Sequence, residues 1–307
     1  MAQSETERIP SAFLKGNYKA RKWDRLVPIF LFVCTFVSVL TTVGIVLTLL
    51  LESVHFFIEV PVVQFLTVTE WSPPAGEFGI LPLISGTLLV TVMAMCVAIP
   101  IGIMSAIYLS EYAPDLVRRI IKPVLEVLSG IPTIVYGFFA LTFVTPLLRE
   151  ILPGMGLFNA LSAGLVMGIM IIPMVASLSE DAMSAVPGHL REAAFALGAT
   201  RFEVAWKVVV PAALSGIISS FVLALSRAIG ETMIVAIAAG ATPKLAFNPL
   251  ESIQTMTGYI VQVSGGDISY GSVDYKSIFA VGITLFVITL VLNIVAQVIA
   301  RRFKEDY

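Results

Sequence analysis

Six stretches of this chain are almost free of charge: residues 27–51, 85–109, 124–148, 157–179, 209–240 and 277–300. Each is long enough to cross a bilayer core, which takes about 20 apolar residues as a helix. Lipid offers no partner to a bare peptide group, so such a stretch must satisfy its own backbone hydrogen bonds, and a helix does so. The pattern therefore predicts an all-α integral membrane protein with six transmembrane helices spread over residues 27–300. Between them lie polar segments at 1–26, 52–84, 180–208 and 241–276, and a short tail at 301–307. Proline and glycine interrupt three of the apolar runs, at Pro100 and Gly102, Gly130 and Pro132, and Gly168 and Pro173. Proline leaves a carbonyl without its partner, so each pair marks either a packing kink or a break lining a cavity.

Composition and charge orient this picture. The 307 residues are 57% hydrophobic and only 13% charged, whereas a soluble domain carries about 25% charged residues. Fifteen of the nineteen Lys and Arg residues fall in four segments: the N-terminal 26, the stretch around Arg118, Arg119 and Lys122, the loop holding Arg191, Arg201 and Lys207, and the tail with Arg301, Arg302 and Lys304. Basic residues concentrate on the cytoplasmic side, so both termini and the loop at 180–208 are expected there. Segment 52–84 instead has Glu52, Glu59, Glu70 and Glu77 and no basic residue, which suits an outer loop with Trp71 at the interface. The basic N-terminus lacks a cleavage site after a short apolar core, so it reads as a cytoplasmic lead-in with an amphipathic elbow over 13–23 and not as a signal peptide.

Candidate chemistry is sparse. Cys34 and Cys96 lie in apolar runs, and His55 and His189 stand apart from them and from each other, so no metal site is expected. No G-x-x-x-x-G-K-[ST] phosphate-binding loop occurs. The chain is thus expected to be no enzyme by itself, to bind no cofactor and no nucleic acid, and to be surrounded by membrane lipid.

Two segments break the apolar monotony. Residues 187–211 read as a helix from Gly188 to Leu197, thinly covered at Ala193, Ala194 and Ala196 and flanked by Arg191 and Glu192. Gly198 then supplies a left-handed turn, a second short helix starts at Arg201, and Pro211 suits the first turn of the next element. The residues alone fit either a partner-binding helix or a solvated loop. The second segment, Ser226 to Thr232, puts Arg227 and Glu231 inside an apolar span. Four residues apart on one helix they share a face and would pair, along a stripe that also holds Gly216, Ser219, Ser220 and Gly230. A straight helix from Pro211 sets Arg227 about 24 Å along, in the outer half of the membrane. Such a pair either lines a substrate route or holds helix register.

The motifs carry a resemblance. Glu192-Ala193-Ala194, then Gly198, then Val208-Val209-Val210-Pro211 resembles the EAA loop of ATP-binding-cassette importer permeases, with valines where that family usually has Ile-x-Leu-Pro. Arg227-Ala228-Ile229-Gly230-Glu231-Thr232-Met233 resembles a signature of the phosphate-specific permeases of the Pst system. Ser129-Gly130-Ile131-Pro132-Thr133-Ile134-Val135-Tyr136-Gly137-Phe138-Phe139, Glu70-Trp71-Ser72-Pro73 and Gly79-Ile80-Leu81-Pro82-Leu83 are similar to others of theirs, over about residues 65–300 in all. Met233-Ile234-Val235-Ala236 is closer to the PstC branch than to the PstA branch.

The resemblance implies a type I importer-permease fold in a bacterial inner membrane. It implies a coupling helix seated on an ATPase subunit through Arg191, Glu192, Ala193, Ala194 and Gly198. Phosphate would pass Arg227 and Glu231, with Ser226 and Thr232 beside them. The implied partners are a PstA-like sister permease, two PstB-like ATPases holding ATP and Mg²⁺, and a PstS-like external phosphate-binding protein. Alternatives left open are a permease for sulfate, molybdate or tungstate, a stand-alone secondary transporter, and a scaffold without transport.

Overall fold

A computed structural model describes residues 18–245, 247–266 and 268–302. Residues 13–17 of the expected elbow lie outside the described residues, and from Tyr18 the chain is helical. Helix α1, Tyr18–Glu59, forms a unit by itself as far as Leu51. Phe30, Phe32 and Leu40 are exposed along it, the surface of a helix whose solvent is hydrocarbon.

The second unit begins at Glu52. After α2 (Val62–Thr67), a small hairpin pairs β1 (Trp71–Ser72) antiparallel with β2 (Glu77–Phe78), setting Trp71 opposite Phe78. Phe56, Phe65, Trp71, Phe78 and Tyr259 meet there edge to face, with Trp71 and Tyr259 ring centres 4.9 Å apart. Edge-on contact brings the positive rim of one ring to the negative face of the next. Trp71 is only 3% exposed, so the expected interfacial Trp is a core residue of a folded cap.

The heart of the unit is α3 (Leu81–Ile107) against α7 (Ala160–Ser184). Gly164 and Gly168, four residues apart on α7, let the two backbones close: a Cβ at Gly168 would stand 2.7 Å from Val97 Cβ and 2.9 Å from the Ala94 carbonyl. In lipid, where burial of apolar surface drives little, helices associate through such close packing. Pro100 and Pro173 lie inside α3 and α7, which continue through them.

The pair Gly130 and Pro132 does break the chain. The single span expected over 124–148 is two elements: α4 (Asp115–Ser129), and a separate rod made of α5 (Thr133–Phe139), a wide π-helical turn at Ala140–Val144 and α6 (Thr145–Ile151). Proline has no N–H to donate and pushes the residue before it out of the helical region, so the helix cannot pass Ile131. Helix α4 has its charges on one face and apolar residues on the other, and a hydropathy sum merges it with its neighbour.

After α8 (Gly188–Ala196), α9 (Arg201–Val204) and α10 (Val210–Ala212), α11 (Leu214–Ile229) departs with a 70° bend from the Arg201–Ala212 segment. The straight-helix count from Pro211 therefore fails; Arg227 lies about 20 Å along from Leu214. The short helix α12 (Met256–Ser264) and the long α13 (Val273–Arg302) complete the unit. Among the described residues five helices are long and apolar enough to cross a membrane, and six if the bent pair counts as one span.

Candidate functional site

Helix α11 stops at Ile229, Glu231 and Thr232 are non-helical, and the helix resumes at Met233 before a π-helical turn at Val235–Ala239. A helix that restarts inside a membrane presents unbonded N–H groups. Glu231 meets them: its Oε1 accepts from the N–H of Met233 at 3.0 Å and of Ile234 at 3.4 Å. The carboxylate thus sits at the positive end of the resumed helix, which stabilises a negative charge there. The Thr257 hydroxyl of α12 donates to the Glu231 carbonyl at 2.7 Å, closing the exposed backbone of the break.

The expected Arg227–Glu231 pair is not formed. Four-residue spacing brings side chains together only while the helix continues, and it ends between these two. Arg227 occupies the last turn of α11, where the carbonyl dipoles favour a cation. Among the described residues it makes no hydrogen bond or ion pair, and it is half-buried. On the neighbouring α5, the Tyr136 hydroxyl donates to the Leu128 carbonyl across the Gly130–Pro132 break at 3.0 Å. A Cβ at Gly137 would lie 3.2 Å from Ile237 Cβ and from the Met233 carbonyl, so α5 packs closely on the helix that resumes after the break.

The other residues of this segment have different duties. Ser226 donates to Asn293 Oδ1 of α13 at 2.5 Å, and Thr232 to the Gly230 carbonyl at 3.1 Å. The small-residue stripe divides. Gly216 abuts Ala182, and Ser220 bonds Ser179 at 2.9 Å, so both face α7, while Ser219 is exposed. Packing against α7 takes up part of what the sequence offers as one continuous polar path.

At the loop end, α8 has no buried side chain. Glu192, Ala193 and Ala196 are exposed, Ala194 packs inward, and Gly198 turns the chain at φ +84°. Arg191 points into the protein. Its Nη1 and Nη2 donate to the Val186 and Met183 carbonyls at 2.6 and 2.7 Å, and Nε and Nη2 to Glu111 Oε1 at 3.2 and 3.0 Å. Phe195 and Leu197, the latter 90% exposed, belong to no motif in the sequence; their one signal there is an apolar side chain at the tip of a polar loop. The acids Glu111 and Glu180 likewise carry no local signal, because their cationic partners lie 58 to 80 residues away. Lys122 is held above the usual lysine range, first by its bond to Asp181 and then by Glu180, against the opposing effect of burial.

Interrupted helices in a mostly helical, multi-pass membrane fold, with an exposed helical loop, are the architecture a transport permease uses. Residues 98–305 match the family described as binding-protein-dependent transport system inner membrane component, and the chain belongs to that family. It is 34% identical over 276 residues to the probable ABC transporter permease protein YqgH of Bacillus subtilis (strain 168), spanning 88% of this chain and 89% of that protein. It is also 34% identical over 264 residues to the phosphate transport system permease protein PstC of Xylella fastidiosa (strain 9a5c), spanning 79% and 80%. In fold it is similar to a chain of the bacterial alginate ABC transporter in complex with an alginate pentasaccharide-bound periplasmic protein, with a TM-score of 0.65 at 17% identity over 93% of this chain and 97% of that one.

Proposed function

We propose that this chain is a permease subunit of an ATP-driven importer of inorganic phosphate in a bacterial inner membrane. The observation that carries this reading is Arg227, a half-buried cation within a span, with no hydrogen bond or ion pair among the described residues. A charge in that position calls for an opposite charge, and the neighbouring acid, Glu231, is engaged by backbone N–H groups. A transported anion supplies the missing charge. The relatives named as phosphate permeases support phosphate as that anion.

In this reading the exposed residues of α8, with Glu192, Ala193, Phe195 and Leu197 foremost, seat on an ATPase subunit that holds ATP and Mg²⁺. Two such ATPases serve this chain and a sister permease, and an external binding protein delivers phosphate to the opposite face. Arg227 receives the anion as its hydration is stripped, and Glu231 keeps the helix break in shape. The test is phosphate uptake by the assembled complex in liposomes, with Arg227→Gln and Arg227→Lys. Uptake is expected to fall at least about tenfold in Arg227→Gln, equivalent to about 1.4 kcal/mol. Full uptake with unchanged affinity in Arg227→Gln removes Arg227 from the path, and preferential competition by sulfate, molybdate or tungstate reassigns the anion.

A further inference from the structure

The C-terminal end of α7 meets two polar joints, neither of which has a part in the transport reading above. One is the Arg191 clasp, which fastens α8 to the Met183 and Val186 carbonyls and to Glu111, in the π-helical turn Tyr108–Tyr112 that follows α3. The other centres on Glu180, 2% exposed. Its Oε1 accepts from Arg118 Nε at 3.0 Å and from the Ser184 hydroxyl at 2.9 Å; its Oε2 accepts from Lys122 Nζ at 2.7 Å. Lys122 also reaches Asp181 at 2.6 Å. Arg118 and Lys122 are four apart on α4, so one face of that helix delivers both cations to one buried acid.

Helix α4 has no buried side chain of its own, and Leu116, Ile120, Val124 and Val127 are exposed along its other face. The Glu180 joint is therefore its firm attachment to α7. At its far end α4 reaches the Gly130–Pro132 break, where the Leu128 carbonyl accepts from the hydroxyl of Tyr136 in α5, whose neighbour Gly137 packs on Met233 and Ile237 of the resumed helix. A helix lightly packed along its length and held through Arg118 and Lys122 in its first half passes displacement of that joint toward its other end.

We propose that Glu180 is a positioning residue for transport: it is the joint through which movement of α8, passed by Arg191 to the end of α7, reaches α4 and then α5, which packs on the helix resumed after Glu231. This rests on the importer reading above. It adds a residue outside both the helix break and the α8 surface.

The test uses the complex of this chain with its sister permease and ATPases in liposomes, measuring phosphate uptake and ATP hydrolysis together. Wild type sets the ratio; ATP-driven uptake that never appears in wild type refutes the importer reading and not the joint. Glu180→Gln keeps the shape and releases both cations. Hydrolysis is expected to persist while uptake per ATP falls at least about fivefold, the low end of typical coupling between sites, with Glu180→Asp intermediate. Unchanged uptake per ATP, or uptake and hydrolysis falling in proportion, overturns the proposal, because a merely structural residue does the latter. If Glu180→Gln does not assemble, Arg118→Gln and Lys122→Gln, each leaving one cation on the acid, are read in the same way. A readout free of substrate is a spin label at Val127→Cys in a Cys34→Ala, Cys96→Ala background. Its nucleotide-dependent change is expected in wild type and absent in Glu180→Gln, and persistence of that change in the variant also overturns the proposal.

Discussion

The Glu231 carboxylate accepts the backbone N–H of Met233 at 3.0 Å, so the acid four residues beyond Arg227 serves the start of the next helix. This contact explains how an anion and a cation lie close together in a span without pairing. Each is stabilised by a different helix end, Arg227 by carbonyls and Glu231 by N–H groups.

Independence of the two charges follows. Glu231→Ala removes a capping acceptor and is expected to cost about 1 kcal/mol, within the range of lost caps, while Glu231→Gln keeps an acceptor oxygen and costs less. Combined with Arg227→Gln, the effects on thermal unfolding of the purified complex should add to within about 0.5 kcal/mol. A coupling well above that figure would restore the ion pair.

Packing at the α3–α7 crossing gives a sharper contrast. Gly168→Val places atoms against Val97 and the Ala94 backbone and is expected to destabilise by about 1–3 kcal/mol or abolish assembly. Gly44→Ala, with nothing within 4 Å of the new methyl, should stabilise α1 slightly, by about 0.5–1 kcal/mol, because alanine is the better helix former. Melting temperatures of the two purified variants check this, and equal effects would mean that the close approach of α3 and α7 is not real.

Gly198 separates strain from crowding. Its φ is +84° and a Cβ there meets nothing within 4 Å, so Gly198→Ala carries only the left-handed backbone cost of about 1–2 kcal/mol. Asparagine tolerates that region better, and Gly198→Asn should recover part of the loss. Amide exchange over α8 and α9 measures it: faster in Gly198→Ala, closer to wild type in Gly198→Asn. The reverse order would rule out a left-handed turn at this position.

Much of this architecture is written in local pattern. Apolar runs longer than a bilayer core specify helices wherever they fold, because lipid permits little else. Gly198 turns the chain and Gly130 with Pro132 breaks it, for reasons carried by those residues alone. Tertiary structure settled what depends on distant partners. It placed the end of α11 between Arg227 and Glu231, buried Trp71 against Tyr259, and brought Arg118 and Lys122 to Glu180 and Glu111 to Arg191. A charged side chain pairs with whatever helix end or counter-charge the packing brings within about 3 Å, and residues 58 to 80 positions apart leave no periodic trace of that meeting in the sequence.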